Sequence, residues 1–484
     1  MTAPWWRDAV IYQIYPRSFQ DSDGDGVGDL AGIRSRLGHI AQLGVDAIWL
    51  SPIHPSPLAD YGYDVSDYTG VDPTLGTLAD FDRLLDGAHR LDLRLLMDLI
   101  PCHTSIEHAW FREHPDWYIW ADGDGPPNNW VGAFGGSAWS RDEPTGRWYL
   151  HSFYPEQPDL DWRNPAVAGA FAEIVKLWLG RGADGFRLDA IDRLLKDSAL
   201  RDDPVAERPS LLPLHPAVAH LERRHSANQP DVGGPLRALR EAIGEHLMIG
   251  EVYLPTAQLG PYLEQLDLAF SFELLHAPLV PALLRPVIDA AVAAGKVGWV
   301  VSNHDFPRLA SRVGAANVRV ASMLLLTLPG AAFIYQGDEI GMADGPVPDP
   351  PLDRDGRDGS RTPMQWGPGR GGAFTTGTPW LPLADPFKRN VFDQERYRDS
   401  VLWLYRDLIA LRRELGPDLR FLDSHANVLA YQRGDIVVAL NFSAQEAPAP
   451  AHGELLLATG GPGRPPHRPV LAPHAGWVAR APEN

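Results

Sequence analysis

Gly185-Phe186-Arg187-Leu188-Asp189-Ala190-Ile191-Asp192 follows a helical run ending at Gly182 and reads as a short strand running into a loop. Side chains alternate across a strand, so Arg187 and Asp189 point the same way. A guanidinium beside a carboxylate holds it ionised and oriented, as a nucleophilic carboxylate requires. Taken alone, the octapeptide reads equally well as a structural ion pair at a strand end. The rest of the chain decides between the two.

Seven further apolar, strand-like runs surround this one, at residues 11–19, 45–53, 94–103, 246–254, 267–275, 295–305 and 331–341. Helical periodicities at 30–43, 78–91, 166–179, 236–243 and 282–294 lie between them. Continuous apolar strands alternating with helices imply parallel strands buried on both faces. Eight such units predict an α/β fold, a closed (β/α)8 TIM barrel with its chemistry at the C-terminal strand ends. A doubly wound open sheet is the structural alternative.

Polar residues cluster where that barrel requires them. The second strand is followed by Asp60-Tyr61-Gly62-Tyr63-Asp64 and the third ends at His103. The fourth carries Arg187 and Asp189, and the fifth holds Glu251 in an otherwise apolar run. The seventh ends Ser302-Asn303-His304-Asp305. One buried acid could be structural; three at one end of a barrel point to chemistry, because an unpaired buried carboxylate is costly.

Two interruptions are too long for ordinary loops. Residues 104–165, rich in Trp, Gly, Pro and Asp, predict a subdomain inserted after the third strand. Residues 343–389 predict a long functional loop, and 197–232 a variable loop beside the site. Beyond a helix at 402–415, short strands at 428–432, 435–442, 453–457 and 477–481 predict a small antiparallel C-terminal β-sandwich. The expected domains are a barrel of 1–103 and 166–416, an inserted subdomain of 104–165 and a sandwich of 417–484.

Composition narrows the partners. The 484 residues carry a formal net charge of −19, which argues against nucleic acid or an anionic membrane surface. Sixteen tryptophans suit the apolar faces of sugar rings, although most serve the core. One cysteine, Cys102, allows no intrachain disulfide and fits a reducing compartment. The N-terminal residues lack the apolar segment of a signal peptide, so a cytoplasmic location is expected.

Asp21-Ser22-Asp23-Gly24-Asp25-Gly26-Val27-Gly28-Asp29 spaces its carboxylates as a calcium loop does. An EF-hand needs glutamate at the twelfth position, which is Gly32 here. A structural calcium ion is expected, with a solvated acidic turn as the alternative.

Together these motifs resemble the α-amylase family of glycoside hydrolases, in its α-glucosidase and oligo-1,6-glucosidase branch. The likeness runs from Tyr12-Gln13-Ile14-Tyr15-Pro16 to the C-terminal strands. It includes Gln157-Pro158-Asp159-Leu160-Asp161-Trp162, Asn303-His304-Asp305 and Arg361-Thr362-Pro363-Met364-Gln365-Trp366. The resemblance implies Asp189 as nucleophile, Glu251 as general acid/base and Asp305 as the third carboxylate. It implies Tyr63 stacked beneath a glucose ring, Phe153 as an apolar wall, and His103, Arg187 and His304 bonded to hydroxyls or orienting the acids. Asp60 resembles the aspartate that closes the pocket behind a terminal glucose with a late-loop arginine, here Arg357, with Arg361 the alternative. The metal set it implies is Asp21, Asp23, Asp25, Asp29 and the Val27 carbonyl, with no organic cofactor.

The chemistry agrees with the resemblance. Retention needs one ionised carboxylate to attack and one protonated acid to release the leaving oxygen, and Glu251, in an apolar strand near another carboxylate, is expected to hold its proton. The chain departs from the family at Cys102, where asparagine usually helps hold calcium between barrel and insert; that second calcium site is expected to be absent and the thiol inert. Ala190 after the nucleophile, where α-1,6-preferring enzymes tend to carry valine, points to α-1,4 bonds and short substrates such as maltose. The expected enzyme is a retaining, exo-acting α-glucosidase on small α-glucosides, monomeric or homodimeric. A glucosyltransferase or sucrose isomerase with the same carboxylates is the alternative, and a non-catalytic scaffold a remote one.

Overall fold

The computed structural model describes residues 4–208, 210, 212, 215–460 and 470–482. The first three residues, four positions of the 197–232 loop and parts of the C-terminal region lie outside the described residues. Eight strands form the barrel: β1 (Val10–Ile14), β2 (Ala47–Leu50), β3 (Arg94–Leu99), β4 (Gly185–Leu188), β5 (Leu247–Gly250), β6 (Leu268–Ser271), β7 (Val297–Val300) and β8 (Ala332–Tyr335). They close in chain order, with β8 beside β1. The registers run parallel, as in Leu96 opposite Gly185 and Gly185 opposite Leu247.

Each strand is shorter than its apolar run. The seventh run, 295–305, yields only Val297–Val300, and the sixth gives way to a helix at Phe272–His276. The physical reason is that the segments leaving the strands are themselves buried: Ile53, Val252 and Val301 are at most 5% exposed. Hydrophobicity therefore marks burial and not the last ladder hydrogen bond. The helical run at 30–43 is also divided, into Leu30–Ser35 and Leu37–Leu43, with Arg36 between them.

The chain divides into two compact units. One comprises Met1–Ile48, Asp86–Leu93 and Leu274–Asn484. Its C-terminal part holds a five-stranded antiparallel sheet that includes Val428–Arg433, Ile436–Asn441, Leu455–Ala458 and Ala475–Arg480. A two-stranded sheet, Ala447–Pro448 with Val470–Leu471, accompanies it, and Ala447 and Leu471 share a core with Val437, Ala439 and Trp477.

The other unit comprises Trp49–Leu85 and Arg94–Glu273. It contains β3 to β6 and a three-stranded antiparallel sheet of Trp120–Ala121, Trp148–Leu150 and Trp139–Arg141 within the inserted segment. The helix Pro165–Arg181 delivers the chain into β4. Asn164 caps it by accepting the Ala166 N–H, Pro165 opens it, and Gly182 ends it at φ 109°. No helix among the described residues is long and apolar enough to cross a membrane.

Gly185 opens β4 against β5. A Cβ there would lie 2.4 Å from the Leu247 carbonyl oxygen, so Gly185→Ala is expected to cost about 1–3 kcal/mol of stability, read as a lower denaturant midpoint. Burial also holds the imidazoles of His54, His103, His108 and His276 down at about 4, against an ordinary 6.5. The unfolded chain then binds more protons between those values, so stability is full above about 6.5 and falls as pH drops towards 4. Asp98 and Asp338, each pushed up to about 6 by burial, act in the opposite sense but are outnumbered. The melting temperature should fall by ~5–10 °C across this window; a flat or rising profile would contradict the burial of these rings.

Candidate active site

The unit that includes residues 94–273 builds its polar centre around Arg187, which is 1% exposed. Register places Arg187 of β4 directly opposite Asp98 of β3. Its Nη1 donates to Asp98 Oδ1 at 2.7 Å and to Asp189 Oδ1 at 2.6 Å. Its Nη2 pairs with Glu251 Oε2 at 2.6 Å. One cation thus holds three carboxylates, two of them the expected nucleophile and acid/base. The rings of Trp49 and Tyr63 lie 5.0 and 5.9 Å from the guanidinium carbon.

The backbone fixes both acids just past their strand ends. The Asp189 N–H donates to Leu99 O and the Glu251 N–H to Leu188 O, each at 2.9 Å. Ala190 then turns left-handed, at φ 45°, and its N–H donates to Glu251 Oε2 at 3.2 Å. A β-branched residue tolerates this conformation poorly, so the alanine suits the turn as well as the linkage preference expected of it.

The expected sugar-binding residues of this unit gather nearby. Tyr63, 5% exposed, donates its hydroxyl to Asp98 Oδ2 at 3.1 Å. Gln157 Nε2 reaches both Asp60 Oδ2 and His103 Nε2 at 3.0 Å. His103 Nε2 also lies 3.1 Å from the Tyr63 carbonyl. The Phe153 ring packs 5.1 Å from that of His103 and 5.0 Å from the Arg193 guanidinium.

Cys102 is buried, and burial pushes its thiol well up, away from the reactive thiolate. Lys196 Nζ sits 3.9 Å from its sulfur and 2.5 Å from Asp159 Oδ2, so a protein ammonium serves the carboxylate there. Sequence reasoning assigned no role to Asp98, Gln157, Asp159 or Lys196. Asp98 carried a legible signal, being an acid within an apolar strand like Glu251.

The unit that includes residues 274–484 carries Asp305, His304, Arg357 and Arg361. Asp305 Oδ1 accepts from Arg357 Nη1 at 3.2 Å and Arg361 Nη2 at 3.3 Å. The same arginines grip Asp353, through Arg357 Nε at 2.6 Å and Arg361 Nη1 at 3.3 Å. Burial alone would raise the Asp353 carboxyl, but the two guanidinium groups outweigh it and hold it low. Asp353 is thus a further anchor that sequence reasoning missed. His304 stacks 5.8 Å from Tyr15, meets Gln13 Nε2 at 2.8 Å through Nδ1, and approaches Asp305 Oδ2 to 3.4 Å.

The expected metal loop lies in this same unit. Carboxylate oxygens of Asp21, Asp23 and Asp29 lie within 4.8 Å of one another. Burial would raise the Asp21 carboxyl, but hydrogen bonds from Thr375 and the Gly24, Gly26 and Asp23 amides bring it below its ordinary value. Three crowded oxygen ligands of this kind fit a hard cation. Asp25 lies outside this group of three; its Oδ1 accepts the Val27 N–H at 2.7 Å. Gly26, at φ 97°, allows the tight course: a Cβ would fall 1.9 Å from Thr378 O.

Comparison with known proteins agrees with this geometry. The family described as "Alpha amylase, catalytic domain" matches residues 13–417, and a domain of unknown function, DUF3459, matches 413–478. A probable alpha-glucosidase of Rhizobium meliloti (strain 1021) is 41% identical, over 89% of this chain and 87% of its own length. An oligo-1,6-glucosidase of Halalkalibacterium halodurans is 37% identical over 90% and 89%. Among solved structures, the alpha-glucosyl transfer enzyme XgtA superposes with a TM-score of 0.93 at 38% identity, covering 99% of this chain and 100% of that one. The chain belongs to the α-amylase family of glycoside hydrolases.

Proposed function

We propose that this chain is a retaining, exo-acting α-glucosidase that releases terminal α-glucose from short α-1,4-linked glucosides such as maltose. The observation that carries the reading is the single guanidinium of Arg187 gripping both Asp189 and Glu251 at 2.6 Å. A shared guanidinium keeps the two acids near one another, which favours the closer spacing of retaining enzymes, about 5–5.5 Å, over the wider spacing of inverting ones. Names of relatives support the substrate class: alpha-glucosidase, maltase and oligo-1,6-glucosidase.

In the proposed reaction, Asp189 attacks the anomeric carbon while Glu251 donates its proton to the departing glycosidic oxygen. A β-linked glucosyl ester forms on Asp189. Glu251, now ionised, takes a proton from water, which attacks the same carbon, breaks the ester bond to free Asp189 as a carboxylate, and restores the α configuration. Three carboxylates around one cation carry excess negative charge, which draws in the proton that Glu251 must supply.

Tyr63 forms the platform beneath the ring, Phe153 an apolar wall, and His103 and His304 read hydroxyls. Burial keeps His103 neutral down to about pH 4, so it bonds as a dipole and not as a competing cation. Asp305, steadied by two arginines, supplies the third carboxylate. Asp60 reads the terminal glucose, and Arg357 or Arg361 is the late-loop arginine that completes that recognition. When bound, calcium would be held by Asp21, Asp23 and Asp29, with Asp25 and the Val27 carbonyl as further oxygens, and would brace the loop without entering the chemistry. The reading includes a cytoplasmic location, which the single free cysteine supports.

Transfer of glucose to a sugar acceptor is the second reading. It is favoured by the likeness to the alpha-glucosyl transfer enzyme and uses the same glucosyl ester.

NMR of the first minutes of turnover separates the two readings. Maltose should yield α-glucose with little new disaccharide; new linkages outrunning free glucose would move the assignment to transfer, and early β-glucose would refute retention. Asp189→Asn should lower kcat at least ~10⁴-fold while the melting temperature stays within a few degrees of wild type. A chelator should lower the melting temperature of the wild type and added calcium should restore it; a melting curve indifferent to both would remove the metal.

A further inference from the structure

Asp98 is as deeply buried as Arg187, with its side chain 0% exposed, and none of the reacting roles falls to it. Its two oxygens are divided between different tasks. Oδ1 takes Arg187 Nη1 at 2.7 Å, while Oδ2 takes the Tyr63 hydroxyl at 3.1 Å and Trp49 Nε1 at 3.2 Å. Trp49, Asp98 and Arg187 stand on the consecutive strands β2, β3 and β4. One carboxylate therefore joins the sugar platform to the cation that orients the nucleophile.

Stability alone does not account for such a group. Taking a carboxylate and a guanidinium out of water costs several kcal/mol per ion, and apolar residues of similar volume often do as well or better. Burial pushes the Asp98 carboxyl up to about 6 against the downward pull of Arg187, so it is ionised at neutral pH. The reaction supplies a reason for the arrangement. The other two partners of Arg187 lose their charge in turn: Asp189 when it becomes an ester, Glu251 whenever it holds its proton. Asp98 takes no part in bond exchange, so its charge persists throughout.

We propose that Asp98 is a positioning residue, the standing counter-ion that keeps Arg187 in place while Asp189 and Glu251 cycle, and that it tethers the Tyr63 platform to the same cation. This rests on the assignment of Asp189 and Glu251 made above. Removing the Asp98 charge leaves Arg187 to fall more heavily on those two. A tighter hold on Asp189 weakens it as a nucleophile, and loss of a neighbouring negative charge favours ionised Glu251. The charged and titratable groups facing Asp98 are Arg187, Asp189, Glu251 and Tyr63, so the change should be read in the limb of the pH profile that reports the Glu251 proton.

The test compares wild type, Asp98→Asn, Asp98→Glu and Tyr63→Phe on a nitrophenyl α-glucoside across pH, with melting temperatures alongside. Asp98→Asn should lower kcat ~10²-fold or more and move the basic limb of kcat/KM down by ~1 pH unit, and Asp98→Glu, which keeps the charge, should return the limb towards wild type. Tyr63→Phe keeps the ring and loses only the tether, so KM should rise at least ~3-fold. Activity lost with the basic limb unmoved, or kcat within ~3-fold of wild type, would overturn the counter-ion role. Should Asp98→Asn fail to fold, the Asp98→Glu limb and the Tyr63→Phe constants decide: a limb displaced despite the retained charge, or unchanged constants for Tyr63→Phe, would overturn it. Asp189→Asn runs as a control. If that variant stays active, the underlying assignment of the nucleophile has failed; if it is dead while Asp98→Asn behaves as wild type, only the present inference has.

Discussion

A cation sealed inside the barrel is the constraint on which the rest of this structure depends. Arg187 is 1% exposed, and a buried guanidinium left unpaired would cost several kcal/mol. It is stabilised by carboxylates from β3 (Asp98), from the residue after β4 (Asp189) and from the residue after β5 (Glu251). Three neighbouring strands must therefore hold their register for the cation to meet its partners. The geometry that keeps the cation solvated by protein is the same geometry that holds together the two acids proposed to act on a sugar. On that reading, fold stability and chemistry are coupled at one side chain.

The second cluster repeats the principle with equal numbers of each charge. Asp305 and Asp353 are shared by Arg357 and Arg361, so two carboxylates and two guanidinium groups brace one another. Long side chains are expensive to order singly, and sharing partners lets each ion pair pre-organise the next. Both clusters follow the same logic: the acids proposed to act on substrate are held by residues given no reacting role.

Much of this was legible in the sequence because barrels place function at strand ends. The alternation of apolar runs and helical periods put the eight strands in order, and the polar residues after them singled out Asp189, Glu251 and Asp305 as candidates, the first two of which meet at Arg187. The strand ends were less legible, since the departing segments are as apolar as the strands, as at Val252 and Val301. Partners distant in sequence were harder still. Asp98 meets Arg187 across 89 positions, and Lys196 meets Asp159 from the far side of an intervening helix and strand. The carboxylate loop at Asp21 was legible from spacing alone, although only Asp21, Asp23 and Asp29 converge closely.

The central claim is that Arg187 holds Asp189 ready to form a covalent bond with glucose. Mass spectrometry after exposure to a fluorinated α-glucosyl fluoride, which slows the second step more than the first, tests it directly. One fluoroglucosyl group should attach per chain, and proteolytic mapping should place it on the peptide containing Asp189, with attachment lost in Asp189→Asn and greatly slowed in Arg187→Ala. Attachment to Glu251 or Asp305, or turnover with no covalent intermediate, would contradict the account.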